Sequence, residues 1–326
     1  MCIRRLVLCG ALFVCAGARA ESAFDLAPGQ KVLPAVQYKQ LAVFPIVLET
    51  ADAGGTHFLT LADGLKSKKV AINENKNGGT VNQVNIANNG DQPLLLLAGE
   101  IILGGQQDRI LGKDTVVPPH QEMALQVFCV EHGRWSGKKE FGSVGGMVEG
   151  KARMRAKFDD NQQGVWNEVA KKTSALKATS STGTYRSIAT GAAGEAAVKP
   201  YRENLTKKIE ALPQAKKMIG YVAAVNGRVS SVEKFAEPGL FLQYRDRLLD
   251  ALYVSVADVA TADKITLPEK KDVDAFMKQA EAAPAEQVLD NAAATTVENK
   301  GAAIKKSKLI IKAAPAKPVY ESFQAE

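Results

Sequence analysis

Apolar positions along this chain follow two rhythms, one of strands and one of helices. Leu94–Leu97 and Leu125–Val130 are short continuous apolar runs, as in strands buried on both faces. Val36–Glu49 alternates loosely about a centre at Val43–Leu48. Val70–Glu74 and Thr80–Asn88 also read as strands, joined by the turn-rich Asn75–Gly79. Met218–Val225 and Arg228–Phe235 flank Asn226-Gly227, a pair that suits a type I′ turn because both positions need positive φ. A spacing of three to four predicts helices at Leu59–Lys69, Gln162–Leu176, Tyr201–Leu212 and Leu240–Val256. In the last of these Leu240, Tyr244, Leu248 and Leu252 form one stripe, which reads as core and not as a cofactor site. Together these elements predict an α+β protein, with mostly antiparallel sheet and helices packed against it.

The stretch from Thr261 to Glu326 changes character, becoming rich in alanine and lysine. Val273–Ala282 suits a helix and Ala283–Lys300 reads as linker. Lys305–Lys312 and Val319–Phe323 are short strands that either return to the sheet or belong to a disordered basic tail. The glycine-rich Gly142–Gly150 reads as a mobile loop, since no Gly-Lys-Ser/Thr follows to make it a phosphate cradle. Ala178–Gly194 reads as a long Ser/Thr/Gly loop.

The N-terminus changes the picture of where the chain works. Arg4 and Arg5, the apolar Leu6–Cys15 and Ala18-Arg19-Ala20 have the layout of a secretory signal cleaved after Ala20. The apolar run is shorter than the ~20 residues of a membrane span. The expectation is a periplasmic or secreted protein with no membrane span in its mature chain. Residues 21–35 then form an N-terminal arm. Cys2, Cys9 and Cys15 fall in the signal, which leaves Cys129 alone in the mature chain, without an internal disulfide. Its apolar setting reads as a buried core thiol. The formal charge is +7, of which Arg4, Arg5 and Arg19 carry three. The remaining charge is spread out, so nucleic-acid binding is not expected.

Candidate chemistry gathers between Leu94 and Trp135. Glu100 follows one apolar run, and Gln106, Asp108 and Arg109 follow the Gly104-Gly105 turn. The second run ends in Glu131, His132, Arg134 and Trp135. Loops held at strand ends are common places for sites. Cys129 and His132 stand at an odd spacing, which puts them on opposite faces of a regular strand. His57, His120 and His132 are scattered, without paired metal-ligand spacing. No Gly-x-Ser-x-Gly is present.

Ala98-Gly99-Glu100, Gly104-Gly105-Gln106-Gln107-Asp108-Arg109 and Cys129–Trp135 resemble the signature of the ARG and rhodanese–phosphatase-superfamily-associated protein (ARPP) domain. Gln163–Val169 resembles that family's W-x-E helix, and Gly220–Val229 its late hairpin. The resemblance spans roughly residues 36–260, leaving 261–326 as an Ala/Lys-rich extension. The family has no settled activity; its association with ADP-ribose and phosphate enzymes implies a link to nucleotide metabolism.

Three readings of the cluster stand side by side. In the first, Glu100 and Glu131 pair with arginines inside the fold, and the chain is a structural or interaction protein. In the second, the cluster binds a polar anionic or polyhydroxylated ligand of nucleotide, ADP-ribose or glycan type. Arg109 and Arg134 then meet the anion, Gln106, Asp108 and the glutamates serve hydroxyls, and Trp135 stacks. In the third, Glu100 and Glu131 form the acid–base pair of a hydrolase. The residues name no cofactor, no metal and no oligomeric state.

Overall fold

The computed structural model describes residues 23–50, 57–74, 82–313 and 315–326. The expected signal segment at 1–20 lies outside the described residues.

Leu41–Leu48 shows how the sequence builds the larger sheet. Leu41, Val43 and Val47 enter one core, while the alternate Ala42, Phe44 and Ile46 enter another on the opposite face. This strand is therefore covered on both sides, which its unbroken apolar run requires. It pairs antiparallel with Met218–Val225, which forms a hairpin with Arg228–Phe235. Asn226 and Gly227 hold φ of 49° and 81° at the hairpin tip, as the type I′ turn demands. A Cβ on Gly227 would meet the Thr266 carbonyl oxygen at 2.3 Å, so the site excludes any side chain.

The same sheet continues through Lys317–Ala325, Ile304–Ile311, Ala294–Lys300 and Ala285–Asp290. The segment read as an extension is thus built into the sheet. Of the two readings given for Lys305–Lys312 and Val319–Phe323, the structure has the return to the sheet, and the stretch read as linker supplies two more strands. At the other edge, Phe24–Ala27 and Gln30–Val32 bring the N-terminal arm into register beside Leu41–Leu48.

Helix Pro238–Val256 covers one face of this sheet, and its stripe is core as expected. The ring of Phe235 packs against those of Phe241, Tyr244 and Tyr320, with centroids 5.8, 5.6 and 4.7 Å away. Helix Lys270–Glu281 covers the other face with Val273, Phe276 and Ala280. A reciprocal cap between Glu269 and Asp272 fixes its start.

The second unit is a closed barrel of six antiparallel strands. Around it run Arg109–Leu111, Gln121–Cys129, Gln83–Asn88, Val70–Glu74, Glu140–Met147 and Glu100–Gly104. Leu111, Leu125 and Val127 belong to its own core, whereas the alternate Ile110 and Phe128 join the main core. Closure removes the exposed edges of the strands. The glycine-rich stretch expected as a mobile loop is one of these strands. Its register shifts twice, between Phe141 and Ser143 and between Val144 and Met147. Gly146, at φ 96°, lies in the second shift, so the glycines serve bulges there. A short sheet of Thr115–Val117, Leu94–Leu96 and Leu59–Thr60 contains the parallel pairing of Leu59–Thr60 with Leu94–Leu96. Helices Gly150–Lys157 and Gln162–Ala175 follow the barrel. Part of the expected loop at 178–194 is helical, at Arg186–Ala189 and from Ala192 onward.

Candidate functional site

The two polar strand ends of the sequence do meet. Arg109 pairs across the barrel with Cys129, and the Val130 N–H donates to the Asp108 carbonyl at 3.0 Å. That register lays the turn after Gly104 against the turn after Val130. Gly104 and Gly105 both hold positive φ, and a Cβ on Gly105 would meet the Phe141 ring at 2.4 Å. Only glycine lets the turn close here.

Side chains tie the turns together. The Asp108 N–H donates to Glu131 Oε2 at 3.2 Å. Arg134 Nε donates to the same oxygen at 2.9 Å, and Arg134 Nη1 reaches the carbonyls of Gly105 and Ser136 at 2.9 and 2.8 Å. Its Nη2 lies 3.3 Å from the Gly104 carbonyl and 3.4 Å from Asp108 Oδ1. Asp108 is sealed, and its carboxylate also accepts from Gly104 N–H at 3.0 Å and Thr184 Oγ1 at 3.2 Å. Arg186 grips it through Nε at 2.8 Å and through Nη2.

Thr184 and Arg186 were missed in the sequence, as was Glu74. Arg109 is 1 % exposed and sends Nη2 to both Glu74 oxygens, at 2.8 and 2.9 Å. Arg109 was expected at a ligand's anion; burial and this ion pair place it inside the fold instead. The Gln106 N–H also donates to Glu74, at 3.1 Å. Trp135 stands 53 % exposed. His132 is exposed, and its ring meets Trp166 of the W-x-E helix edge to face, with centroids 4.6 Å apart. Cys129 is fully buried, and that burial pushes its thiol up to about 11, a poor setting for a nucleophile.

Glu100 belongs to a different network. It is fully buried, accepts from the Leu97 N–H at 2.9 Å and pairs with Arg247 at 2.7 Å. Burial raises its carboxyl above the usual range, outweighing the charge of Arg247. Nearby, Asp114 is held by Lys157 at 2.6 Å, Ser307 at 2.8 Å and the Ala98 N–H at 2.9 Å. Burial alone would raise Asp114, but the charges of Lys157 and Arg153 and these hydrogen bonds hold it below the usual range. Arg153 continues the network to Glu233 and Tyr320, each at 2.6 Å. No hydrogen bond or ion pair joins Glu100 to Glu131 among the described residues. Glu100 is bound to Arg247 and the Leu97 N–H, and Glu131 to Arg134 and the Asp108 N–H, so the two carboxylates belong to separate networks.

An open hollow of about 550 Å³ lies over the joined turns, lined by the glycines at 104, 105, 137 and 142 with Arg134, Lys138, Glu140 and Arg186. Arg134 has spent its donors inward. Arg186 keeps Nη1, and Lys138 has no hydrogen-bond or ion-pair partner among the described residues. These two cations line the hollow with donors unmatched among the described residues. Among the described residues no three His, Cys, Asp or Glu side chains stand together as metal ligands. No described helix is long and apolar enough to cross a membrane.

A closed barrel joined to a helix-backed sheet, with ion-paired turns at the barrel end, is the class this chain represents. Residues 29–321 match the model of the ARG and Rhodanese-Phosphatase-superfamily-associated Protein domain, and the chain belongs to that family. The match extends beyond the 36–260 span of the resemblance and takes in nearly all of the C-terminal strands. No curated protein and no solved structure matches it.

Proposed function

We propose that this chain is a binding module for a polar anionic or polyhydroxylated ligand of nucleotide, ADP-ribose or glycan type. The ligand is held in the hollow over the joined turns. The observation that carries this reading is the placement of Arg186 and Lys138 on an open hollow with donors unspent. Arginine and lysine donors suit phosphate and carboxylate oxygens. Asp108 and Arg134 act behind them, fixing the rim. Trp135, exposed and next in sequence to Arg134, is the candidate for a stacking face.

Calorimetric titration with ADP-ribose, nucleotides and charged sugars tests the reading. Binding of at least one, weakened about tenfold or more in the Arg186→Ala, Lys138→Ala double variant, is expected. No heat with any of them, or a double variant that binds equally well, refutes it.

A second reading, that the arginines only hold the fold, is favoured by the sealed Arg109–Glu74 pair. It accounts for Arg109 and Arg134 but leaves the outward donors of Arg186 and Lys138 without a role. We further propose that the chain is exported, on the strength of the Arg4–Ala20 segment. The intact mass of protein recovered outside the cytoplasm should then correspond to a chain beginning at Glu21. Recovery of the full-length chain in the cytoplasm alone would count against export.

A further inference from the structure

Away from the barrel turns, helices Gly150–Lys157, Gln162–Ala175 and Pro238–Val256 meet the central hairpin around a cavity of about 420 Å³. Val148, Tyr221, Leu248, Ala251, Leu252 and Val256 give it broad apolar walls. Most of the charged side chains on its lining are already matched. Arg153 pairs with Glu233 at 2.6 Å, Lys171 with Glu168 at 3.2 Å, and Lys172 with Asp258. Glu326 takes Lys305 and Arg155 at 3.2 and 3.3 Å. Lys151 is exposed to solvent.

Glu149 is the exception. It is 2 % exposed and makes no ion pair among the described residues. Its carboxylate accepts only from the backbone N–H groups of Lys151 and Ala152, at 3.0 and 2.8 Å. Burial raises this carboxyl in spite of those two donors. A carboxylate withdrawn from water is costly until a cation meets it. An anion entering the cavity would face a buried carboxylate that no side-chain cation pairs, and a sugar would lose the hydration of its hydroxyls against the apolar walls.

We propose that this cavity is a second ligand site, for a small amine with an apolar body. The ammonium sits against the Glu149 carboxylate, and the body lies on Leu248, Leu252 and Val256. The volume falls within the range of small-molecule pockets, and a few polar groups among apolar walls is their usual composition. This site is separate from the hollow over the turns and selects the opposite charge, so either can fail without the other.

Phenethylamine is the probe, titrated by calorimetry into the full chain, with 2-phenylethanol and 3-phenylpropionate as matched controls. The amine should bind, and about tenfold or more tighter than the alcohol. Glu149→Gln keeps a carbonyl able to cap the helix, and should weaken amine binding by about the same factor. Leu252→Trp fills the cavity from its rim, leaves Glu149 in place, and should abolish binding. If Glu149→Gln does not fold, the amine–alcohol comparison and Leu252→Trp still decide. Equal binding of amine and alcohol overturns the proposal. So does unchanged amine affinity in either variant, or the absence of heat with the amine.

Discussion

Asp114 and Glu100 are both fully buried carboxyls, yet their surroundings give them opposite tendencies. Burial pushes both up. In Asp114 the Lys157 and Arg153 charges prevail; in Glu100 burial outweighs the Arg247 charge, the Leu97 N–H and the Arg153 charge together. Asp114, depressed in the fold, contributes stability above its unfolded value and loses it as pH falls through the folded one. Glu100, raised in the fold, contributes stability in acid and loses it as pH rises through its folded value. At neutral pH, Asp114→Asn should therefore cost about 3–5 kcal/mol, by leaving Lys157 buried without its counter-charge. Glu100→Gln should cost clearly less, because Arg247 stands nearer solvent, with 18 % of its side chain exposed. Urea midpoints taken from neutral pH down to about pH 3 would check both claims. The Asp114→Asn deficit should shrink in acid. Equal losses for the two variants, unchanged by pH, would contradict the assignment.

At the scale of elements, strand Lys317–Ala325 has the largest consequence for its size. It lies between Arg228–Phe235 and Ile304–Ile311, and buries Tyr320 and Phe323 on opposite faces. Ending the chain after Ala316 should expose both neighbouring strands and abolish cooperative unfolding, as followed by circular dichroism in urea. An unchanged midpoint would show that the strand is dispensable. A strand at Val319–Phe323 was legible from Val319, Tyr320 and Phe323, with its return to the sheet one of two readings. Of the other C-terminal strands, Ile304–Ile311 was also read and Ala294–Lys300 was not, although charged or polar residues occupy buried positions in both. Lys305 and Lys306 are each 8 % exposed and pair with Asp159 and Glu281, both at 2.5 Å. Thr296 and Glu298 are sealed within Ala294–Lys300. Apolar periodicity does not report a strand such as Ala294–Lys300, whose buried positions include these two. The glycine-rich barrel strand escaped for a related reason: residues without side chains carry no pattern.

Taken whole, the molecule confirms the α+β layout of helices on mostly antiparallel sheet, since the long apolar runs and the Asn226-Gly227 turn each dictate one local geometry. Convergence of Asp108, Glu131 and Arg134 was legible because two strand ends with polar tips tend to meet at one end of a sheet. The partners Glu74, Thr184 and Arg186 come from distant segments, and nothing local marks them. Glu100 shares the dense stretch with Glu131, yet it faces helix Pro238–Val256 through Arg247. Proximity along the chain did not translate into proximity in space. One feature of the large sheet bears on how the protein is made. Leu41–Leu48 is synthesised early, but the strand that shields its edge lies far downstream, and that hairpin in turn awaits the last strand. A nascent chain therefore carries an oily, unsatisfied ribbon through most of translation. The sheet can close over it only once residue 325 has emerged.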